Sequence, residues 1–153
     1  MILRSRDLSE FELKVAGYQF AGFSGDMFDD NWLIVEGRVM PADERTWEFR
    51  DPALLTWEVE GLCNWLEALA SGQAVEEGED FLEPNLRFEV AERDEDTITI
   101  RVYFELESRP SWFFADAAGM DDLWIDLRVD SDDLRAAAED LRRDLTRFPP
   151  RPL

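Results

Sequence analysis

The amino-acid sequence predicts an α+β domain in which about six strands and two helices follow the order βββαβββα. Two observations predict this class. Apolar and polar residues alternate with period two, as in half-solvated strands, in two groups of three segments. Each group is followed by a segment whose apolar residues repeat with the spacing of an amphipathic helix. We therefore expect one antiparallel sheet with both helices packed on one of its faces.

The chain length indicates a single domain. Its 153 residues lie within the ~100–200 residues that one hydrophobic core usually organises. Hydrophobic residues make up 45% of the chain, which excludes a disordered acidic tail. We expect residues 1–153 to form one domain, with its core at roughly 9–148 and short tails at both ends.

The first group of strands lies in the N-terminal third. Alternation begins at Phe11–Val15 and resumes over Trp32–Met40 after a glycine- and aspartate-rich stretch at 22–30. The turn Pro41–Glu44 leads to a third strand at Thr46–Arg50. Short connections between successive strands favour an antiparallel meander.

The first helix is predicted to open at Asp51-Pro52 and to end at Ser71-Gly72. Its apolar stripe consists of Leu55, Val59, Leu62, Leu66 and Leu69. Cys63 lies within this apolar pattern and is the single cysteine, so it cannot form an internal disulfide. We expect it to be a small core residue.

The second group of strands is predicted at Leu86–Val90, Ile98–Leu106 and Leu123–Val129. A final helix follows, with Ser131 as its N-cap and Pro149-Pro150 after its end. Its apolar stripe consists of Leu134, Ala138, Leu141, Leu145 and Phe148.

The charge distribution bounds the partners. The net charge is -20, and between Arg50 and Arg87 there are nine carboxylates and no lysine or arginine. Such a surface repels nucleic acids and anionic membranes and attracts basic macromolecules or cations. We therefore expect neither a nucleic-acid nor a membrane partner. No apolar run approaches the ~20 residues of a membrane span and no signal sequence is evident, so we expect a cytoplasmic protein.

The residue inventory argues against an enzyme. The sequence has no histidine, which is the commonest general base and a usual ligand of transition metals. It also has no phosphate-binding glycine loop, no dinucleotide fingerprint and no cysteine cluster. We therefore expect no catalytic residue, no cofactor and no metal.

Three alternatives stay open. A carboxylate-based hydrolase would need a protonated acid beside an ionised one, and the spacing singles out no such pair. A Ca²⁺-binding module could use Gly25–Asp30 or Asp121–Asp122, although neither has the ligand spacing of an EF-hand loop. An adaptor or assembly module with an unrelated partner fits the composition equally well.

Two sets of residues are candidates for binding a partner. The acidic set is Glu76, Glu77, Glu79, Asp80 and Glu83, which form an unpaired loop after the first helix, with Asp116, Asp121 and Asp122 further on. The aromatic set alternates with the predicted core residues of the strands, so it faces away from the helices: Trp32, Tyr103 and Trp124. Aromatic residues beside arginines on a solvated face are typical of interface anchors. Alternatively, these rings pack under loops such as Ser111–Gly119 as an extension of the core.

The order of several motifs resembles the WapI-type immunity proteins of bacterial contact-dependent toxin systems. The motifs that carry the resemblance are Asn31–Glu36, Trp47 with Asp51–Glu58, Leu62–Ala70, Phe81–Leu86, Trp124–Asp126 and Phe148–Arg151. The resemblance extends over nearly the whole chain from Phe11 onward, and its motifs consist mostly of packing residues.

The resemblance implies a small cytoplasmic protein that binds and neutralises the C-terminal domain of a secreted polymorphic toxin, typically a nuclease. The charge of the chain fits this implication, because a nuclease presents a basic groove to the phosphate backbone. An acidic protein can occupy that groove, and long-range attraction speeds its capture. The resemblance assigns no role to an individual residue.

Overall fold

The computed structural model describes residues 1–113 and 122–152, among which are eight strands, two α-helices and two short 3-10 helices. The strands are β1 (Ile2–Arg4), β2 (Glu10–Tyr18), β3 (Trp32–Met40), β4 (Trp47–Leu55), β5 (Gly78–Asp80), β6 (Leu86–Arg93), β7 (Ile98–Phe104) and β8 (Leu123–Val129). The α-helices are α1 (Thr56–Ala70) and α2 (Ser131–Arg147). The predicted α+β class is confirmed.

Within the described residues the strands form two four-stranded antiparallel sheets, so the prediction of a single six-stranded sheet is wrong. The first sheet has the order β1-β2-β3-β4 and the second has the order β5-β6-β7-β8. The prediction missed β1 and β5, because three residues are too few to display a period of two. It also placed the strands on either side of α1 in one sheet, although nothing in the alternation pairs β4 with a later strand.

The apolar faces of both sheets share one hydrophobic core. The ring of Phe11 on β2 lies 5.5 Å from that of Phe104 on β7 and 6.2 Å from that of Phe88 on β6. The centre of the Trp47 ring on β4 lies 5.3 Å from the centre of the Phe104 ring. Aromatic pairs at these distances and tilts add to the stabilisation that burial provides.

The two helices pack against each other, and each also contacts strands of the first sheet. α2 also contacts β1 and β2, whereas α1 contacts β4 and reaches the second sheet through Trp65, whose ring lies 6.5 Å from that of Phe88. The helices therefore close the core between the two sheets.

The start of α1 was predicted wrongly. Asp51-Pro52 continues β4 instead of opening a helix, and α1 begins at Thr56. β4 is the edge strand of its sheet, and an edge strand tolerates proline because one of its sides needs no ladder partner. The register shifts at Leu33/Ile34, opposite Pro52, which accommodates the missing N–H group. The predicted end is confirmed, since Gly72 after α1 has a φ of 68°.

The N-cap of α2 is Asp130 rather than the predicted Ser131. The Asp130 carboxylate accepts the backbone N–H of Asp133 at 2.9 Å, and the Asp133 carboxylate accepts the N–H of Asp130 at 3.0 Å. This reciprocal box needs an acidic or amide side chain three residues after the cap. Ser131 lacks one, because Leu134 occupies that position.

Cys63 is buried as predicted, and burial raises the pKa of its thiol to about 11. Across residues 1–113 and 122–152, no helix combines the length and hydropathy that a membrane span requires.

Candidate functional site

The second sheet exposes the face that points away from the core. Its register aligns Asp80 on β5, Arg87 on β6, Tyr103 on β7 and Trp124 on β8 in one row across all four strands. The sequence therefore named three of the four members of this row, which the fold brings together from positions 44 residues apart.

A second row on the same face runs beside the first. It joins Gly78, Glu89, Arg101 and Asp126. We call the two rows together the open face. The residues that alternate with them are buried in the core: Leu86, Phe88, Ile100, Val102, Phe104, Ile125 and Leu127. The apolar side of each strand thus fixes which side chains the open face presents.

Arginines hold the two aromatic rings of the open face. The guanidinium carbon of Arg87 lies 3.6 Å from the centre of the Tyr103 ring. The guanidinium carbon of Arg101 lies 4.9 Å from the Trp124 ring, and the Tyr103 and Trp124 rings are 6.1 Å apart. A cation over an aromatic face is attracted by the ring quadrupole, so the four side chains form one stacked group.

Arg101 is fixed in this group by Asp126. Its Nε and Nη2 atoms donate to the two carboxylate oxygens of Asp126 at 2.7 and 2.9 Å. This bidentate bond raises the pKa of the Arg101 guanidinium, with a smaller contribution from Tyr103. Trp124 nevertheless remains 45% exposed. A large ring held in place and left in solvent is suited to contact another molecule.

A cavity of about 230 Å³ opens at the β5 end of the first row. Its walls are Asp80, Phe81, Pro84, Leu86, Arg87, Tyr103 and Glu105. The walls combine apolar rings with two carboxylates and one guanidinium. Such walls can hold an apolar or a charged side chain of another molecule.

The outward face of the first sheet carries paired charges as well. Lys14 Nζ lies 3.2 Å from Glu36 Oε2, and Arg50 Nε lies 3.4 Å from Glu36 Oε1. Trp32, which was predicted to share a face with Tyr103 and Trp124, is half-buried on β3 and belongs to this other sheet. That part of the aromatic prediction is wrong, because it assumed one sheet.

The acidic segment Glu76–Glu83 is only partly the unpaired loop that the sequence predicted. Its centre forms β5, which pairs with β6. Glu77 is paired, since Arg93 Nη2 lies 2.9 Å from its Oε1 atom. The sequence suggested an unpaired run because Arg93 lies outside the stretch between Arg50 and Arg87, which contains no lysine or arginine. Glu76 and Asp80 are exposed.

Two other acids of this segment point elsewhere. Glu79 alternates with Asp80 and so lies on the opposite side of β5, where burial and then the Asp80 charge raise the pKa of its carboxyl. Glu83 lies near Asp51, whose pKa is raised by burial, then by Glu107 and Glu83. The Nδ2 atom of buried Asn85 donates to Asp51 and Glu107, at 3.2 Å each.

The remaining acidic candidates lie around the connection from β7 to β8. Asp122 is described and exposed. Asp116 and Asp121 lie outside the described residues.

In the other acidic cluster, Asp26 and Asp30 accept backbone N–H groups of their own loop. The Asp30 carboxylate accepts the backbone N–H groups of Ser24 and Gly25 at 2.6 and 3.0 Å, and Asp26 accepts those of Phe28 and Asp29 at 2.9 and 3.0 Å. These carboxylates fold the loop on itself. Over the described residues, no three cysteine or acidic side chains are placed to share a metal ion.

Sequence reasoning missed Arg87 as a member of the site. The available signal was the alternation of Arg87 and Glu89 with buried Leu86, Phe88 and Val90. Without the register between β6 and β7, nothing in the sequence indicates that Arg87 stacks on Tyr103.

The comparisons with known proteins agree with the resemblance in the sequence. A family model described as the immunity protein WapI-like family matches residues 1–149 of this chain. No curated protein and no solved structure matches the chain.

Proposed function

Because this chain belongs to the immunity protein WapI-like family, we propose that it neutralises a toxin domain by binding it and covering its active site. The family match over nearly the whole chain carries this proposal. Neutralisation by binding requires a preformed surface and no chemistry on the toxin. The chain would act in the cytoplasm, as a non-catalytic protein without a cofactor.

The open face is the surface that we assign to the toxin. Tyrosine, tryptophan and arginine dominate the binding energy of protein interfaces, and this face presents Tyr103, Trp124, Arg87 and Arg101 together. Cation–π stacking and the Arg101–Asp126 bond already fix these side chains. Binding therefore loses little side-chain entropy.

The charge of the chain supports a basic toxin surface, as a nuclease would present. A net charge of -20 accelerates the encounter with a cationic partner and disfavours anionic ones. Exposed Asp80 belongs to the open face at its β5 edge, and exposed Glu76 lies just before β5 in the sequence. Asp116, Asp121 and Asp122 stay secondary candidates for the same contact.

Growth of a bacterial host tests the proposal. The host produces a candidate toxin domain, chosen as the C-terminal domain of a secreted protein encoded next to this chain, with or without the chain itself. The wild-type chain should restore growth, and Tyr103→Ala/Trp124→Ala should not. A wild-type chain that binds the domain and leaves it fully active would contradict neutralisation.

The growth assay needs a matched control. Arg50→Ala removes an arginine from the outward face of the first sheet, where it pairs with Glu36, so it should protect like the wild type. Protection by Tyr103→Ala/Trp124→Ala equal to that by Arg50→Ala would remove the open face from the proposal.

A further inference from the structure

A second surface lies at the end of β2 and the start of α1. Four large apolar residues of the loop between β2 and β3, together with one of α1, are exposed: Phe20, Phe23, Met27, Phe28 and Trp57. We call this set the aromatic loop patch. Phe23 is 69% exposed, and the rings of Phe28 and Trp57 contact each other with centres 5.6 Å apart. Exposed apolar residues gathered in this way mark interaction sites.

The C-terminal segment holds the loop in place. The guanidinium of Arg151 donates to the carbonyl oxygens of Phe20, Ala21 and Gly22 at 2.9, 3.2 and 3.3 Å. It also lies 4.7 Å from the centre of the Phe23 ring. These bonds are added to those of Asp26 and Asp30 within the loop, so the exposed rings are presented on an ordered backbone.

Asn31 joins the loop to both neighbours. Its Nδ2 atom donates to the carbonyls of Met27 and Arg151 at 2.8 and 3.0 Å, and its Oδ1 atom accepts from Arg151 N and Thr56 Oγ1, at 2.8 Å each. Asn31 is buried, although it lies at the end of a loop. The loop, the start of α1 and the C-terminal segment therefore form one unit, and binding through it needs little further ordering.

The charges around the patch identify its partner. Asp26, Asp29 and Glu60 are exposed beside it, whereas the donors of Arg151 are directed to loop carbonyls. A second copy of this chain would bring another net charge of -20 against these acids. A basic partner gains both the apolar contact and the electrostatic attraction.

We infer that the aromatic loop patch docks an apolar segment of the toxin domain that is flanked by lysine or arginine. This inference rests on the proposed function and adds a second contact to the open face. Glu58 connects the two surfaces, since its carboxylate accepts the N–H of Leu82 at 2.6 Å and Trp57 precedes it in α1. Leu82 is exposed and lies between Phe81 and Pro84, which line the cavity beside Tyr103.

Binding of the toxin domain to Phe23 variants tests the inference. Phe23→Asp and Phe23→Arg remove the same ring and leave opposite charges. Both substitutions should raise the dissociation constant, by roughly 30-fold for an anchor residue, and Phe23→Arg should raise it more than Phe23→Asp. Ile2→Thr is the control, because Ile2 is 42% exposed and pairs with the opposite end of β2. It should bind like the wild type.

The outcomes separate the two proposals. If the wild-type chain does not bind the toxin domain, the proposed function fails and this inference fails with it. If the wild type binds and both Phe23 variants bind as tightly as the wild type does, only this inference fails. Equal weakening by Phe23→Asp and Phe23→Arg would contradict the basic flank. A wild-type dimer that Phe23→Asp converts to a monomer would assign the patch to a second copy instead.

Discussion

Asp51 is a residue whose ionisation opposes folding. Burial, then Glu107 and Glu83, raise the pKa of its carboxyl in the folded protein above 3.8. The folded state therefore binds this proton more tightly than the unfolded state, and stability falls as pH rises through the folded pKa. Asp51→Asn should stabilise the protein at pH 7. It should have no such effect in acid, where the Asp51 carboxyl is protonated in both the folded and the unfolded protein.

The pKa of Asp130 is shifted in the opposite direction to that of Asp51, so its ionisation favours folding. The backbone N–H of Asp133, and then Arg6, lower the pKa of the Asp130 carboxyl. Its stabilisation is present above the unfolded pKa and is lost as pH falls through the folded pKa. Urea unfolding of Asp51→Asn and Asp130→Asn at pH 7 and in acid measures both effects. A loss of stability in Asp51→Asn at pH 7 would contradict this account of its environment.

Gly37 is required by its cross-strand neighbour. The ring of Phe49 on β4 lies over Gly37 on β3, so that an added methyl group would overlap it. Gly37→Ala should destabilise the protein by about 1–3 kcal/mol, the usual cost of overpacking a core. Gly22→Ala is the control, because the methyl group meets no atom within 4 Å. Denaturant midpoints of the two variants should differ, and equal midpoints would show that Phe49 moves aside freely.

At the scale of elements, the contact between α1 and α2 closes the core. Leu66 on α1 and Leu141 on α2 are fully buried. Leu66→Ala and Leu141→Ala should each destabilise by ~2–5 kcal/mol, because they leave cavities. Glu139→Ala changes an exposed position of α2 and should have little effect. If the free energy of unfolding of both leucine variants were close to that of the wild type, the helices would not be docked in this way.

The elements also show how far the sequence predicts this fold. Alternation located β3 and β8 with correct bounds, and the helical stripes located both helices, because these patterns are local. The division into two sheets depends on which strands pair, and pairing is a long-range property. The start of α1 was predicted too early because Pro52 is typical of a helix start. A proline at a helix start and a proline in an edge strand look alike in sequence.

The candidate site follows the same division. Period two placed Tyr103 and Trp124 on the solvent side of their strands, which the structure confirms as positions on one face. The stacking of Arg87 on Tyr103 and the pairing of Glu77 with Arg93 depend on register, which the sequence does not reveal. The aromatic loop patch was missed because three of its residues, Phe23, Met27 and Phe28, lie in a glycine- and aspartate-rich stretch without periodicity.

At the scale of the whole molecule, the negative charge should govern the rate of encounter with a basic partner. Glu76→Gln/Asp80→Asn removes two exposed charges, one just before β5 and one at the β5 edge of the open face. It should slow association, most of all at low salt, because steering acts over roughly a Debye length, ~10 Å at 0.1 M. Stopped-flow association against salt concentration measures this. Glu95→Gln/Asp96→Asn removes equal charge from the β6–β7 turn and should slow association less.

An association rate that responds equally to both pairs of substitutions would show that only the net charge matters. The position of Glu76 and Asp80 would then carry no specific role. An unchanged rate at low salt would remove electrostatic steering from the account altogether.

The dissociation constant of the complex with the toxin domain tests the central claim most directly. Titration calorimetry would compare the wild-type chain with Tyr103→Ala/Trp124→Ala and with Arg50→Ala from the other sheet. We expect the open-face variant to lose at least ~2 kcal/mol of binding free energy, about 30-fold, while Arg50→Ala binds as the wild type does. Equal dissociation constants for all three proteins, with all three folded, would contradict the claim that the open face binds the toxin.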